Sequence, residues 1–243
     1  MVSSRFTLIA ALTCAAWASE SAPQSPKIKL LPEQRADIYM ARKMYREAID
    51  EYREAADSAV IANKLGIAFH QLQDLAAARR NYVRALKMEP GYAEAINNLG
   101  TTYYAAKEYR RAIKQYRKAL RFSPESASIY SNLGTAYFAR RDYKRASEAY
   151  QSALKIDPEV FEHHNSYGVL LQDQNVEERA KFHYYLARSY AKAGMTERAL
   201  QCIRKSLEEG FGERKKFLEE PEFTTLRVNP EFQMLMAYEP RKL

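Results

Sequence analysis

The sequence predicts an all-α fold, an α-α superhelix of about five helix-turn-helix repeats with a C-terminal cap. Three observations lead there: residue columns that recur at one fixed interval, apolar residues at helical spacing within each period, and a composition with 18 Tyr but only 8 Gly and 9 Pro in 243 residues. So few turn-formers leave little room for the many tight turns of an all-β chain. At 47% apolar and 28% charged, the chain is too apolar for a disordered segment and long enough to bury a core.

At the N-terminus, Met1 to Arg5 carries one positive charge, and residues 6–18 run almost wholly apolar up to Ala16-Trp17-Ala18. This resembles a secretory signal peptide, residues 1–18, cut after Ala18. It implies an exported chain, periplasmic or secreted. The apolar stretch is shorter than the ~20 residues needed to span a bilayer, and Thr13 fits poorly before a lipidated Cys14. Residues 19–28 read as a linker. Cys202 is then the one thiol of the mature chain, which excludes a disulfide framework; in an apolar helical stretch it reads as a small buried hydrophobe.

Beyond the linker, self-similarity dominates. Gly66, Gly100, Gly134 and Gly168 are evenly spaced, and Pro90, Pro124 and Pro158 keep the same interval. So do Ala78, Ala112, Ala146 and Ala180, then Tyr82, Tyr116, Tyr150 and Tyr184, then Ala85, Ala119, Ala153 and Ala187. Glycine inside a helix costs about 1 kcal/mol against alanine, so a glycine column at one helical phase implies a contact that a Cβ would obstruct. The two alanine columns flank the tyrosine on one face of the second helix, so small and large side chains interdigitate across the pair. The prolines end each second helix.

This spacing and these residues resemble the tetratricopeptide repeat, a helix-turn-helix unit of about 34 residues with Leu-Gly, Tyr, Ala, an aromatic, Ala and Pro in order. The resemblance implies a solenoid that binds other proteins or extended peptides and performs no chemistry. Three units are regular: 59–92, 93–126 and 127–160. A degenerate unit, 29–58, precedes them; Ala48 lies 30 residues before Ala78, which predicts a connection about four residues short. After residue 160 the frame breaks. A partial repeat is expected over 161–179 and a repeat-like unit over 180–213, with one helix near 177–193 serving both. The segment 214–243 twice shows Pro-Glu-Phe, at Pro221 and Pro230. Its Phe217, Leu218, Phe223, Leu226, Phe232 and Leu235 are expected to cover the open end of the last repeat, and it resembles the tails that close some bacterial repeat proteins.

Catalysis needs convergent groups, and the sequence offers no phosphate loop, nucleophile elbow or zinc-spaced cysteines. His163 and His164 are adjacent, so on a helix they diverge and cannot share a metal; His70 and His183 lie in other units. No cofactor and no metal are expected.

Two surfaces are candidates for binding. Helix A positions opposite the packed stripe line the concave groove in this family, which selects Asn63, Ile67, His70 and Gln71, then Asn97, Thr101 and Tyr104, then Ser131, Thr135 and Phe138, then Asn165, Val169 and Gln172. Asn98 and Asn132 match an Asn column, but no cation flanks it, which argues against a clamp for a terminal carboxylate. Tyr104 and Phe138 are expected to be exposed anchors. The second surface is basic. Residues 59–126 hold 12 basic residues against five acidic ones, and Arg79, Arg80, Arg84, Arg110, Arg111, Lys114, Arg117 and Lys118 form the expected patch. The leading expectation is a scaffold reading a protein partner through the groove, in the cell envelope; the alternative is attachment to an anionic polymer or membrane surface. Export argues against nucleic acid as a partner.

Overall fold

In the computed structural model, residues 30–162 and 175–237 are described. Their helices come in antiparallel pairs: α1 (Pro32–Ala41) with α2 (Tyr45–Glu54), α3 (Ala59–Gln71) with α4 (Leu75–Met88), α5 (Ala93–Ala105) with α6 (Tyr109–Phe122), α7 (Ala127–Ala139) with α8 (Tyr143–Ile156), and α9 (Val176–Lys192) with α10 (Thr196–Glu208). Each pair packs within itself and onto the next, and among the first helices α5 also touches both α3 and α7. The result is an α-α superhelix with the first helices on its inner side.

Helix starts are set locally. Ser58 Oγ accepts from the Ile61 N–H at 3.1 Å, and Asp74 Oδ1 from the Ala77 N–H at 2.9 Å, each satisfying an otherwise orphan donor. Between the helices of a pair the chain reverses through one left-handed residue: Lys43, Gln73, Lys107 and Arg141, with φ of 59–62°, and Gly194 at 75°. There Lys107 N–H donates to Tyr104 O and Glu108 N–H to Tyr103 O, both at 2.8 Å, a pattern that closes the free carbonyls of the helix end. Only the last of these turns uses the residue that adopts a positive φ without cost.

The glycine column meets the tyrosine column. A Cβ placed on Gly66, Gly100 or Gly134 would lie 2.5–2.6 Å from a ring carbon of Tyr82, Tyr116 or Tyr150. In the first unit the missing four residues come from the second helix, not from the connection. α2 has 10 residues where α4, α6 and α8 have 14, while Ala55 to Ser58 is a link of the same length as Glu89 to Tyr92.

Past α8, Phe161 is buried, its ring edge-on to Tyr150 and Tyr190. The partial repeat expected over 161–179 falls mostly outside the described residues. α9 pairs with α10 as a first helix: Ala187 takes the glycine place and Ile203 the tyrosine place sixteen residues on, both fully buried. A buried His183 joins the two, its Nδ1 2.5 Å from Glu209 Oε2.

The tail folds as α11 (Lys215–Glu219), a 3-10 turn (Pro221–Leu226) and α12 (Pro230–Ala237). Phe217, Phe223, Leu226 and Phe232 are buried, and Tyr184 stacks on Phe211 with centroids 4.5 Å apart. Tyr184 donates to Glu220 at 2.8 Å, and Arg188 reaches Glu222 at 2.6 Å. Leu218, expected among the covering residues, is instead half exposed, because the five-residue α11 buries only the side that carries Phe217.

Candidate partner-binding faces

On the inner side, asparagines link successive first helices. Asn98 Nδ2 donates to Asn63 Oδ1 at 3.1 Å, Asn132 Nδ2 to Asn97 Oδ1 at 3.0 Å, and Asn63 Nδ2 to Glu94 Oε1 at 3.0 Å. The ladder stops at Ser131, whose hydroxyl is buried without a partner among the described residues. The residue of α9 at the next rung is Tyr185, which stacks on Tyr143 at 4.5 Å instead.

This geometry corrects part of the expected groove. Asn63, Ser131 and Thr135 are buried in the seam between first helices; Thr135 Oγ1 donates to Ser131 O at 3.0 Å and accepts from Tyr150 Oη at 3.3 Å. Phe138, expected as an exposed anchor, is 4% exposed. α9 closes over it, with Phe182 and Tyr185 edge-on at 5.6 and 6.1 Å and Tyr143 tilted at 5.4 Å. Asn165, Val169 and Gln172 lie outside the described residues.

What remains accessible on the inner side comes from α3 and α5. Ile67, His70, Asn97, Thr101 and Tyr104 are half-buried and Gln71 is exposed. Thr101 Oγ1 donates to Asn98 O at 2.7 Å, and the Tyr104 ring leans on Tyr109 at 5.3 Å. Burial pushes the His70 imidazole below its ordinary pKa, so it presents a neutral ring at pH 7. These six side chains are uncharged, part apolar and part hydrogen-bonding. That composition suits an extended or helical segment of another protein. Lys64 of α3 is tied to Glu33 at 2.9 Å and Asp37 at 2.8 Å.

On the outer side, α4 and α6 carry ten cations and no carboxylate. Three of the expected patch residues have partners within the chain. Arg79 lies over the Tyr103 ring at 4.5 Å and reaches Glu108 at 3.5 Å, Arg111 pairs with Glu108 at 2.5 Å, and Arg84 pairs with Asp57 at 2.6 Å. Arg80, Arg110, Lys114, Arg117 and Lys118 are exposed with no ion pair among the described residues.

Among the described residues no group of His, Cys, Asp or Glu is placed to hold a metal, and no helix is long and apolar enough to cross a membrane. Cys202 is buried on α10 and its thiol is pushed up to about 12 by desolvation, so it stays protonated and unreactive.

Known proteins agree with this architecture. A tetratricopeptide-repeat family model matches residues 127–160, and a second TPR-repeat model matches residues 100–140. Among solved structures, the chain is similar to MamA 41-end from Desulfovibrio magneticus RS-1, at 21% identity and a TM-score of 0.51, covering 75% of this chain and 95% of that one. A crystal structure of MamA protein is similar at 20% identity and 0.51, covering 78% and 93%. At such identities the likeness is one of fold. No curated protein sequence matches the chain. Helix pairs repeating at a constant interval over residues 59–160, a glycine seated against a tyrosine in each regular unit, and two repeat models matching within residues 100–160 together show that this chain contains tetratricopeptide repeats.

Proposed function

We propose that the chain is a non-catalytic scaffold that holds a segment of another protein against the inner side of α3 and α5. The observation that carries this reading is the accessible, uncharged set Ile67, His70, Gln71, Thr101 and Tyr104 on two adjacent first helices. Aromatic and apolar groups contribute disproportionately at protein interfaces, and tetratricopeptide repeats in general bind proteins or peptides. The seam asparagines and Phe138 support the face from beneath rather than touching the partner.

The site of action follows from the N-terminal pattern: residues 1–18 are removed and the scaffold works in the cell envelope. N-terminal sequencing of protein purified from its source organism tests that part alone, with Ser19 as the expected first residue and Met1 as the contrary result.

For the groove, affinity capture compares the parent chain with Ile67→Glu/Tyr104→Ala and with an outer-face control, Lys114→Gln/Lys118→Gln. A partner retained by the control and lost by the inner-face pair, at equal thermal stability, supports the reading. A partner retained by the inner-face pair contradicts it.

A further inference from the structure

The cations of α4 and α6 stand in register. Arg80, Arg84 and Lys87 each precede their counterparts Lys114, Lys118 and Arg121 by one full repeat, so the same helical phase points outward from two neighbouring repeats. Of these six, only Arg84 has an ion-pair partner among the described residues. Arg110 and Arg117 extend the row on α6. Like charges this dense repel one another, and with no carboxylate on either helix to offset them they favour an anionic partner.

The arrangement says what kind. The cations do not converge on a point; those of α4, together with Ala76 and Val83, line a shallow depression of about 600 Å³. They occupy two rows, where a single acidic peptide would cover one. Beside them are exposed apolar side chains, of which Met88 and Phe122 stand one full repeat apart. Met88 and Phe122 end α4 and α6 and are 44% and 51% exposed, and Val83 is 40% exposed. The Phe122 ring rests on Gly91, whose absent Cβ would lie 3.2 Å from it, so it is held at the edge of the basic face. Nucleic acid would neutralise the cations and leave these apolar groups in water. A bilayer satisfies both: anionic headgroups meet the Lys and Arg termini, while Phe, Met and Val enter the boundary between headgroups and acyl chains.

We propose that the outer face of α4 and α6 docks on an anionic lipid bilayer, leaving the inner face of the same repeats open to a protein. The contact is peripheral and driven by surface charge, with Met88 and Phe122 as shallow apolar anchors.

The test is co-flotation of the chain with vesicles of phosphatidylcholine and phosphatidylglycerol, beside vesicles of phosphatidylcholine alone. Expected are binding to the anionic vesicles only and weakening as salt rises. Neutralisation in Arg80→Gln/Lys114→Gln/Lys118→Gln should cost about fivefold per cation, on the order of a hundredfold in all. These positions are exposed, so thermal melting of the triple variant should match the parent. Phe122→Ser should weaken vesicle binding at unchanged salt dependence, while Tyr104→Ala should leave it unchanged. Failure to float with anionic vesicles overturns the proposal, as does equal flotation of the triple variant. Binding of duplex DNA without binding of anionic vesicles overturns it too and assigns the face to nucleic acid.

Discussion

The ring of Tyr116 occupies the place where a side chain on Gly100 would begin: its Cε1 lies 2.6 Å from the position a Cβ would take. The same pairing joins Gly66 to Tyr82 and Gly134 to Tyr150, so in each regular unit a tyrosine ring of the second helix is seated directly on the glycine of the first. In the fifth unit both partners change together, to Ala187 and Ile203. In the short first unit Ala36 is accommodated beside Tyr52, whose hydroxyl donates to Asp37 at 2.6 Å, so the helix pair can shift at a cost.

Gly100→Ala should therefore overpack the joint and destabilise the chain by about 1–3 kcal/mol. Adding Tyr116→Ile, the combination used at Ala187 and Ile203, should cost less than the sum of the two single changes. A double-mutant cycle in urea measures this, and strict additivity would show that the two sites do not press on each other.

At Lys107, φ is 59°, a conformation that costs a residue with a Cβ about 1–2 kcal/mol. Lys107→Gly relieves that strain but enlarges the freedom of the unfolded chain, so the expected balance is a gain of about 0.5–1 kcal/mol in chemical denaturation. A loss would mean that the turn is not left-handed in solution.

Asn98 is half-buried and donates to Asn63, which is 1% exposed. Asn98→Ala leaves the Asn63 carbonyl without that donor, a loss of about 1–2 kcal/mol. Ser131→Ala, which removes a buried hydroxyl with no partner among the described residues, should be neutral or stabilising. Urea melts of the two variants should differ in sign or clearly in size.

His183 faces Glu209, with Arg179 3.4 Å from the same carboxylate and Lys205 close enough to disfavour a charged ring. Burial, outweighing the Glu209 contact, holds the imidazole pKa below its ordinary value. The folded state thus binds this proton less readily than the unfolded state. The associated stability is present above the unfolded value near pH 6.5 and is lost as pH falls through the folded value. His183→Gln should flatten the stability profile below pH 6.5; an unchanged slope would place the titration elsewhere.

The C-terminal segment is held by rings with no exposure, and Phe223→Ala should cost about 3–5 kcal/mol through lost burial and a cavity. Leu218→Ala, at a half-exposed position, should change stability little. Thermal denaturation of both variants separates the buried register from the exposed one.

The joint at the heart of each regular repeat was legible in the sequence because a glycine inside a helix is costly out of place: its column marked where the two helices meet, while the tyrosine ring that fills the place emerged only from the structure. The left-handed turns were not, since Gln73, Lys107 and Arg141 carry no side-chain signal for a positive φ. The inner face was legible in part. Helical phase identified Ile67, Thr101 and Tyr104, but it could not distinguish the free face from the seam, where neighbouring first helices bury Asn63, Ser131 and Thr135. Phe138 was misread because α9, which buries it, follows a break in the repeat period. The basic column was visible at once, whereas the division of its cations into Arg79, Arg84 and Arg111 with partners and an unpaired remainder depends on acids one repeat away or across a turn.

The most direct test of the scaffold reading is a photo-crosslinking residue placed in turn at Gln71, on the inner side, and at Val83, on the outer side, in the otherwise unaltered chain within its own cells. The account predicts a protein adduct from position 71 that disappears when Tyr104→Ala is added, and no protein adduct of that size from position 83. The same adduct from position 83, or one from position 71 that survives Tyr104→Ala, would contradict it.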